Sequence, residues 1–95
     1  MDTGRVIEVG MRGIHLLFED DLITEAFEQD GQALRRTVKR RLREIEEVVS
    51  HLLGLPSAID GRAFIAGLPR ELQHVLVLLY FELLHDRLRR RPTLH

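Results

Sequence analysis

The sequence predicts an all-α fold: a small antiparallel helical bundle of three long helices and a short connecting helix, completed by oligomerisation. Three observations carry this expectation. Apolar and polar residues recur at spacings of three and four over most of the chain, the helical period, where a strand requires constant parity. Gly31, Gly54, Pro56, Gly67 and Pro69 fall between the periodic stretches, where helices start and stop. The stretch from Leu68 to Arg91 holds an unbroken apolar run, Val75 to Phe81, and ten of the thirteen positions from Leu72 to Leu84 are apolar. A helix of that content shows little of itself to water, so the rest of the chain must cover it.

The first long helix is expected over 4–30, with a break or restart near Asp20. Arg5, Glu8, Arg12, His15 and Glu19 form its polar stripe, and Asp2 or Thr3 is placed to cap it. Gly10 and Gly13 fall opposite that stripe, which suggests another helix backbone close by. Leu22, Ile23, Ala26 and Phe27 continue the apolar side, and Gly31 is placed to end the helix. The second long helix, 32–53, carries Leu34, Val38, Leu42, Ile45, Val49 and Leu52 at spacings of 4, 4, 3, 4 and 3, and Gly54 and Pro56 stop it. With Gly31 as the turn, these two helices read as an antiparallel hairpin. A short helix over 59–66 follows, capped by Ser57 or Asp60. The C-terminal helix is expected over 69–91, opened by Pro69 in the first turn where its missing N–H is tolerated. Pro92 ends it, and 92–95 form a tail.

Composition bounds the function. The chain has 95 residues, 44% apolar and 31% charged, with a net charge of −1. That suits one soluble globular domain with a core of marginal size, and no global field draws it to nucleic acid or membrane. The absence of cysteine excludes disulfides and thiolate metal sites. The opening MDTGRVIEVGMRG lacks the features of a signal peptide, and the run 75–81 is too short to span a bilayer. The expectation is a cytoplasmic protein that makes no membrane contact. Ser50 and Ser57 sit in no nucleophile elbow, and Gly10 and Gly13 have no phosphate-loop spacing. Neither catalysis nor a cofactor is expected.

Three features compete as candidate sites. The first is the apolar surplus of the C-terminal helix. With Glu71, His74, Glu82 and His85 turned outward, apolar groups still cover most of its circumference. Leu76, Leu78, Leu79, Tyr80, Phe81, Leu83 and Leu84 are the expected interface, Tyr80 and Phe81 its anchors. A homo-oligomer, most simply a dimer, is the expected assembly, and protein–protein interaction as a small adaptor or regulator the expected function.

The second is a basic face. Arg35, Arg36, Lys39, Arg40, Arg41 and Arg43 put six cations into nine residues, and all but Arg41 lie within about 140° of arc. An acidic protein partner or a nucleic-acid backbone suits such a face; the nucleic-acid-associated regulator is the alternative functional reading. Against both stands self-neutralisation. Residues 1–30 hold eight acids and two bases, and residues 31–53 six bases and three acids. A hairpin at Gly31 would pair Glu28 with Arg35, Glu25 with Lys39 and Asp21 with Arg43.

The third is a pair of Glu-x-x-His motifs, Glu71/His74 and Glu82/His85. That spacing puts carboxylate and imidazole on one helix face, as in carboxylate-bridged di-metal bundles. The two pairs share a face about 16 Å long. They are also the only polar stripe this helix has, so a solvated face accounts for them, and no metal site is assigned.

Overall fold

The fold is that of a computed structural model, which describes residues 1–90. The described residues form six α-helices and no strand: α1 (Thr3–Met11), α2 (Asp20–Phe27), α3 (Gly31–Arg40), α4 (Leu42–Leu53), α5 (Ala58–Ala66) and α6 (Arg70–Arg89). The expected tail 92–95, with Arg91 and the stop at Pro92, lies outside the described residues. The all-α expectation holds; the number and extent of the helices differ from it at two places.

The first difference lies between α1 and α2. Asp2 caps α1, its carboxylate accepting from the Arg5 N–H at 3.0 Å. The helix ends at Met11 because Gly13 takes φ +90, a conformation glycine adopts without a Cβ penalty. The Gly13 N–H then donates to the Gly10 carbonyl and the Ile14 N–H to the Val9 carbonyl. These are the two bonds of a Schellman stop. The helical spacing of Arg12, His15 and Glu19 therefore runs on through an irregular segment, in which Leu17 and Phe18 are buried.

The second difference is at Arg41, where φ −118 and ψ 30 separate α3 from α4. The backbone ladder is bridged on both sides, by Arg41 N–H to the Thr37 carbonyl and Ile45 N–H to the Arg41 carbonyl, each 2.9 Å. The axis bends, and Leu42, expected on the buried stripe, is 49% exposed. The Arg41 guanidinium donates to both Glu44 oxygens at 2.8 Å and to Glu71 at 3.1 Å. It thus ties the bend to α6.

Gly31 opens α3 and does not close the helix before it; Asp30 is the cap, accepting from the Gln32 N–H at 2.9 Å. Ser57 caps α5 through the Asp60 N–H. Gly61 of α5 is buried where a Cβ would meet Leu17 at 2.9 Å and Leu52 at 3.1 Å, which lets α5 lie close to α4 and the 12–19 segment.

All of this is arranged around α6, against which α1, α2 and α3 pack directly. Its inner side contributes to two apolar clusters. Leu76, Val77, Tyr80 and Leu84 join Val6, Ile7, Leu17, Phe18, Leu22, Ala26, Leu52 and Ile65. Leu72 and Val75 join Leu34 and Ile45. Buried Gln73 fixes the turn into the helix, its amide donating to the Leu68 carbonyl at 2.8 Å and accepting from Arg70 at 3.3 Å.

Candidate interaction surface

The seven residues expected at an interface separate into two groups. Leu76, Tyr80 and Leu84 are buried in the chain's own core, so Tyr80 is no surface anchor. Its ring sits against Phe18 and its hydroxyl lies 2.8 Å from His15 Nδ1; burial raises the phenol above its ordinary pKa. Leu78, Leu79 and Phe81 are half-buried and Leu83 is exposed. These four remain as the uncovered edge of α6.

Three of them, Leu78, Leu79 and Leu83, open into two apolar depressions. One is a cleft of about 140 Å³ between α1, α4 and α6, lined by Leu79 and Leu83 with Met1, Val49, Leu52 and exposed Leu53. The other is a groove of about 250 Å³ between α2 and α3, floored by Val77 and Leu78 and walled by Phe27, Gly31 and Leu34. Phe27 stands at its rim, 62% exposed, its ring in a T-shaped contact with Phe81 at a centroid distance of 5.0 Å. The exposed Phe27 is the residue that reading the sequence missed, since it was grouped with a buried stripe. A signal was present: Phe27 lies about 140° around the helix from Leu22, at the edge of that stripe.

The expected charge pairing across α2 and α3 does not form. Arg35 reaches Glu82 of α6 at 3.2 Å, and Arg40 and Arg41 reach Glu71 at 3.1 Å. Glu25 turns to α6 as well, taking a bidentate pair from Arg70 at 2.6 Å and lying 2.7 Å from His74 Nε2. The reason is placement. Both α2 and α3 lie on α6, so their long side chains find the α6 polar stripe before they find each other. Hydrogen bonds from Arg70 first, and then His74, lower the Glu25 pKa to about 2. Among the described residues Arg36, Lys39 and Arg43 have no acidic partner, and Asp20, Asp21 and Glu28 have no basic one.

No family model, curated protein or solved structure matches this chain.

The Glu-x-x-His pairs do not converge on a common point. Glu71 accepts from the Thr37 hydroxyl at 2.7 Å and from Arg40 and Arg41, an environment that lowers its pKa, the Thr37 hydrogen bond most of all. His74, expected on the outward stripe, is instead buried and turned to Glu25, because α2 packs over that side of α6, and Glu82 is turned to Arg35. His85 shares a shallow surface depression with Glu82, Arg35, Leu88 and Arg89, two of which are cations that oppose a metal ion. No cluster of three or more metal-ligating side chains occurs among the described residues, and no helix there is long and apolar enough to cross a membrane.

Proposed function

We propose that this protein is a non-enzymatic interaction module that associates with itself through the uncovered edge of α6 and acts as a small adaptor or regulator. One observation carries the reading. After the intramolecular core has formed, Leu78, Leu79 and Leu83 still border two apolar depressions, with Phe27 and Leu53 exposed at their rims. Contiguous apolar surface of this kind on a small domain marks an interface, and two-fold homodimers are the commonest way to cover it. Sedimentation velocity on the pure protein tests the proposal. A dimer at micromolar concentration is expected, and a monomer throughout that range sinks it.

A second reading, binding of a polyanion such as nucleic acid, is favoured only by the unpaired Arg36, Lys39 and Arg43. Three of the six cations, Arg35, Arg40 and Arg41, are engaged by Glu82 and Glu71 of α6, which leaves a short stripe for phosphates. Duplex binding measured across a salt series, with Arg36→Ala and Lys39→Ala compared to wild type, decides it. Unchanged affinity and salt slope in the double variant exclude that role.

A further inference from the structure

The α2–α3 groove differs from the cleft beside Leu83 in what surrounds it. The sequence places Glu28 next to Phe27 at its rim, and α2 also carries Asp20 and Asp21; all three carboxylates are exposed. The other wall, α3, carries Arg36 and Lys39, with Arg43 just past the bend, and these three cations are exposed too. None of the six has an ion partner among the described residues. An apolar groove thus lies between an acidic helix and a basic helix, and an exposed aromatic stands beside it. The charges match in number and oppose in sign.

Such a face is complementary to itself under a two-fold rotation. The operation lays the acidic helix of each copy on the basic helix of the other and brings each rim residue over the other's groove. We propose that two copies pair about a two-fold axis over the α2–α3 groove, each Phe27 seated against Leu78 and Leu34 of the partner, with the carboxylates of each α2 facing the cations of the partner's α3. The proposal rests on the self-association argued above and selects which of the two depressions serves it. The energetic division is the usual one: the buried aromatic supplies most of the affinity, and the charges supply orientation and exclude wrong partners. It also gives a reason for Glu28, Arg36 and Arg43, which no helix dipole accounts for: Glu28 stands at the C-terminal end of α2, Arg36 in the middle of α3 and Arg43 in the first turn of α4.

The test uses two full-length variants of opposite design, each checked by circular dichroism for an unchanged helical signal. Asp21→Lys with Glu28→Lys makes both walls basic; Arg36→Glu with Lys39→Glu makes both walls acidic. Each variant alone meets like charge in its own copy, and its self-association in sedimentation velocity should weaken by about tenfold or more at low salt. Mixed in equal amounts, the two should form a heterodimer of wild-type affinity or tighter, and that rescue is the decisive result. If either double variant loses helical signal, the single reversals Glu28→Lys and Lys39→Glu are mixed in its place, with the same expectation at smaller size. Wild-type affinity in each variant alone overturns the proposal, as does weakening without rescue. In either case self-association stands and passes to the cleft, where Leu83→Glu should abolish it. A monomeric wild type overturns this proposal and the function proposed above together.

Discussion

Tyr80 shows how one side chain can dictate the residue that faces it. A Cβ built on Gly10 would stand 2.2 Å from the Tyr80 hydroxyl oxygen and 3.3 Å from Leu84. Glycine is therefore required at position 10 by packing, in the last turn of α1, where alanine is the better helix former. Gly10→Ala gains about 1 kcal/mol of helix propensity but overpacks a filled site, which costs about 1–3 kcal/mol and more when the neighbours cannot move. Net destabilisation is expected in thermal melts. Combining Gly10→Ala with Tyr80→Phe should recover part of the loss, because the hydroxyl is the clashing atom. Strict additivity of the two changes would contradict the contact. A close approach at Gly10 was legible from its place opposite the polar stripe, although the neighbour is a side chain where a backbone was expected. Glu25 gives a second residue-scale prediction. Its pKa is depressed from 4.5 to about 2, so its contribution to stability is fully present above pH 4.5 and is lost as the pH falls through 2. The melting temperature of wild type should drop more steeply between pH 4.5 and 2 than that of Glu25→Gln. Glu71, also depressed, is common to both proteins and cancels in the comparison. Parallel curves would mean that the Arg70 and His74 contacts add nothing in solution.

At the scale of the element, the sequence located the helical content well and its interruptions poorly. The stop after α1 depends on Gly13 adopting positive φ, and glycine permits that conformation without announcing it. The polar spacing of Arg12, His15 and Glu19 happens to continue the helical rhythm through an irregular segment. Nothing lies within 4 Å of a Cβ placed on Gly13, so its role is one of backbone conformation alone. Gly13→Ala should destabilise the protein by about 1 kcal/mol, while Gly13→Asn, better tolerated in the left-handed region, should cost less. Equal stability of the three proteins in denaturant titrations would show that the segment can re-form as helix. The bend at Arg41 was illegible for a different reason. It contains neither glycine nor proline, and the apolar spacing passes straight through it. Its cause is tertiary, since Arg41 is held between Glu44 of its own chain segment and Glu71 of α6. The same dependence on placement undid the expected α2–α3 ion pairs. Counting charges along the chain gave the right acids and bases, but which of them meet was decided by α6. The candidate surface followed suit: the apolar excess of α6 was plain in the sequence, whereas its division into a covered core side and two open depressions required the positions of α1 and α2.

For the whole molecule, α6 and α4 both tie the two apolar clusters together through buried residues: Leu72, Val75 and Ile45 lie in one, and Leu76, Val77, Tyr80, Leu84 and Leu52 in the other. Val48, Val49 and Leu68 pack against both, so no plane separates the clusters without cutting through side chains. The Cα radius of gyration, 13.5 Å, is close to the roughly 12–13 Å expected of a compact domain of this length. A small domain with a shared central helix should unfold in a single transition. The sole tyrosine makes this testable, because the chain has one Tyr and no Trp and Tyr80 is buried in the first cluster only. Its near-ultraviolet dichroism thus reports on that cluster, while far-ultraviolet dichroism reports on all six helices. Leu72→Ala removes a side chain only 2% exposed from the second cluster, at a cost of about 2–5 kcal/mol. For a domain of this size that lowers the melting temperature by about 8 °C or more. If α6 joins the clusters into one cooperative unit, the Tyr80 signal must fall at the same lowered temperature as the helical signal, although the substitution lies outside its cluster. A Tyr80 transition that stays at the wild-type temperature while helical signal is lost earlier would divide the molecule in two, with α3 and its neighbours as a separately melting part. The groove between α2 and α3 would then lie along the boundary of that part, and docking there would stabilise the weaker half first.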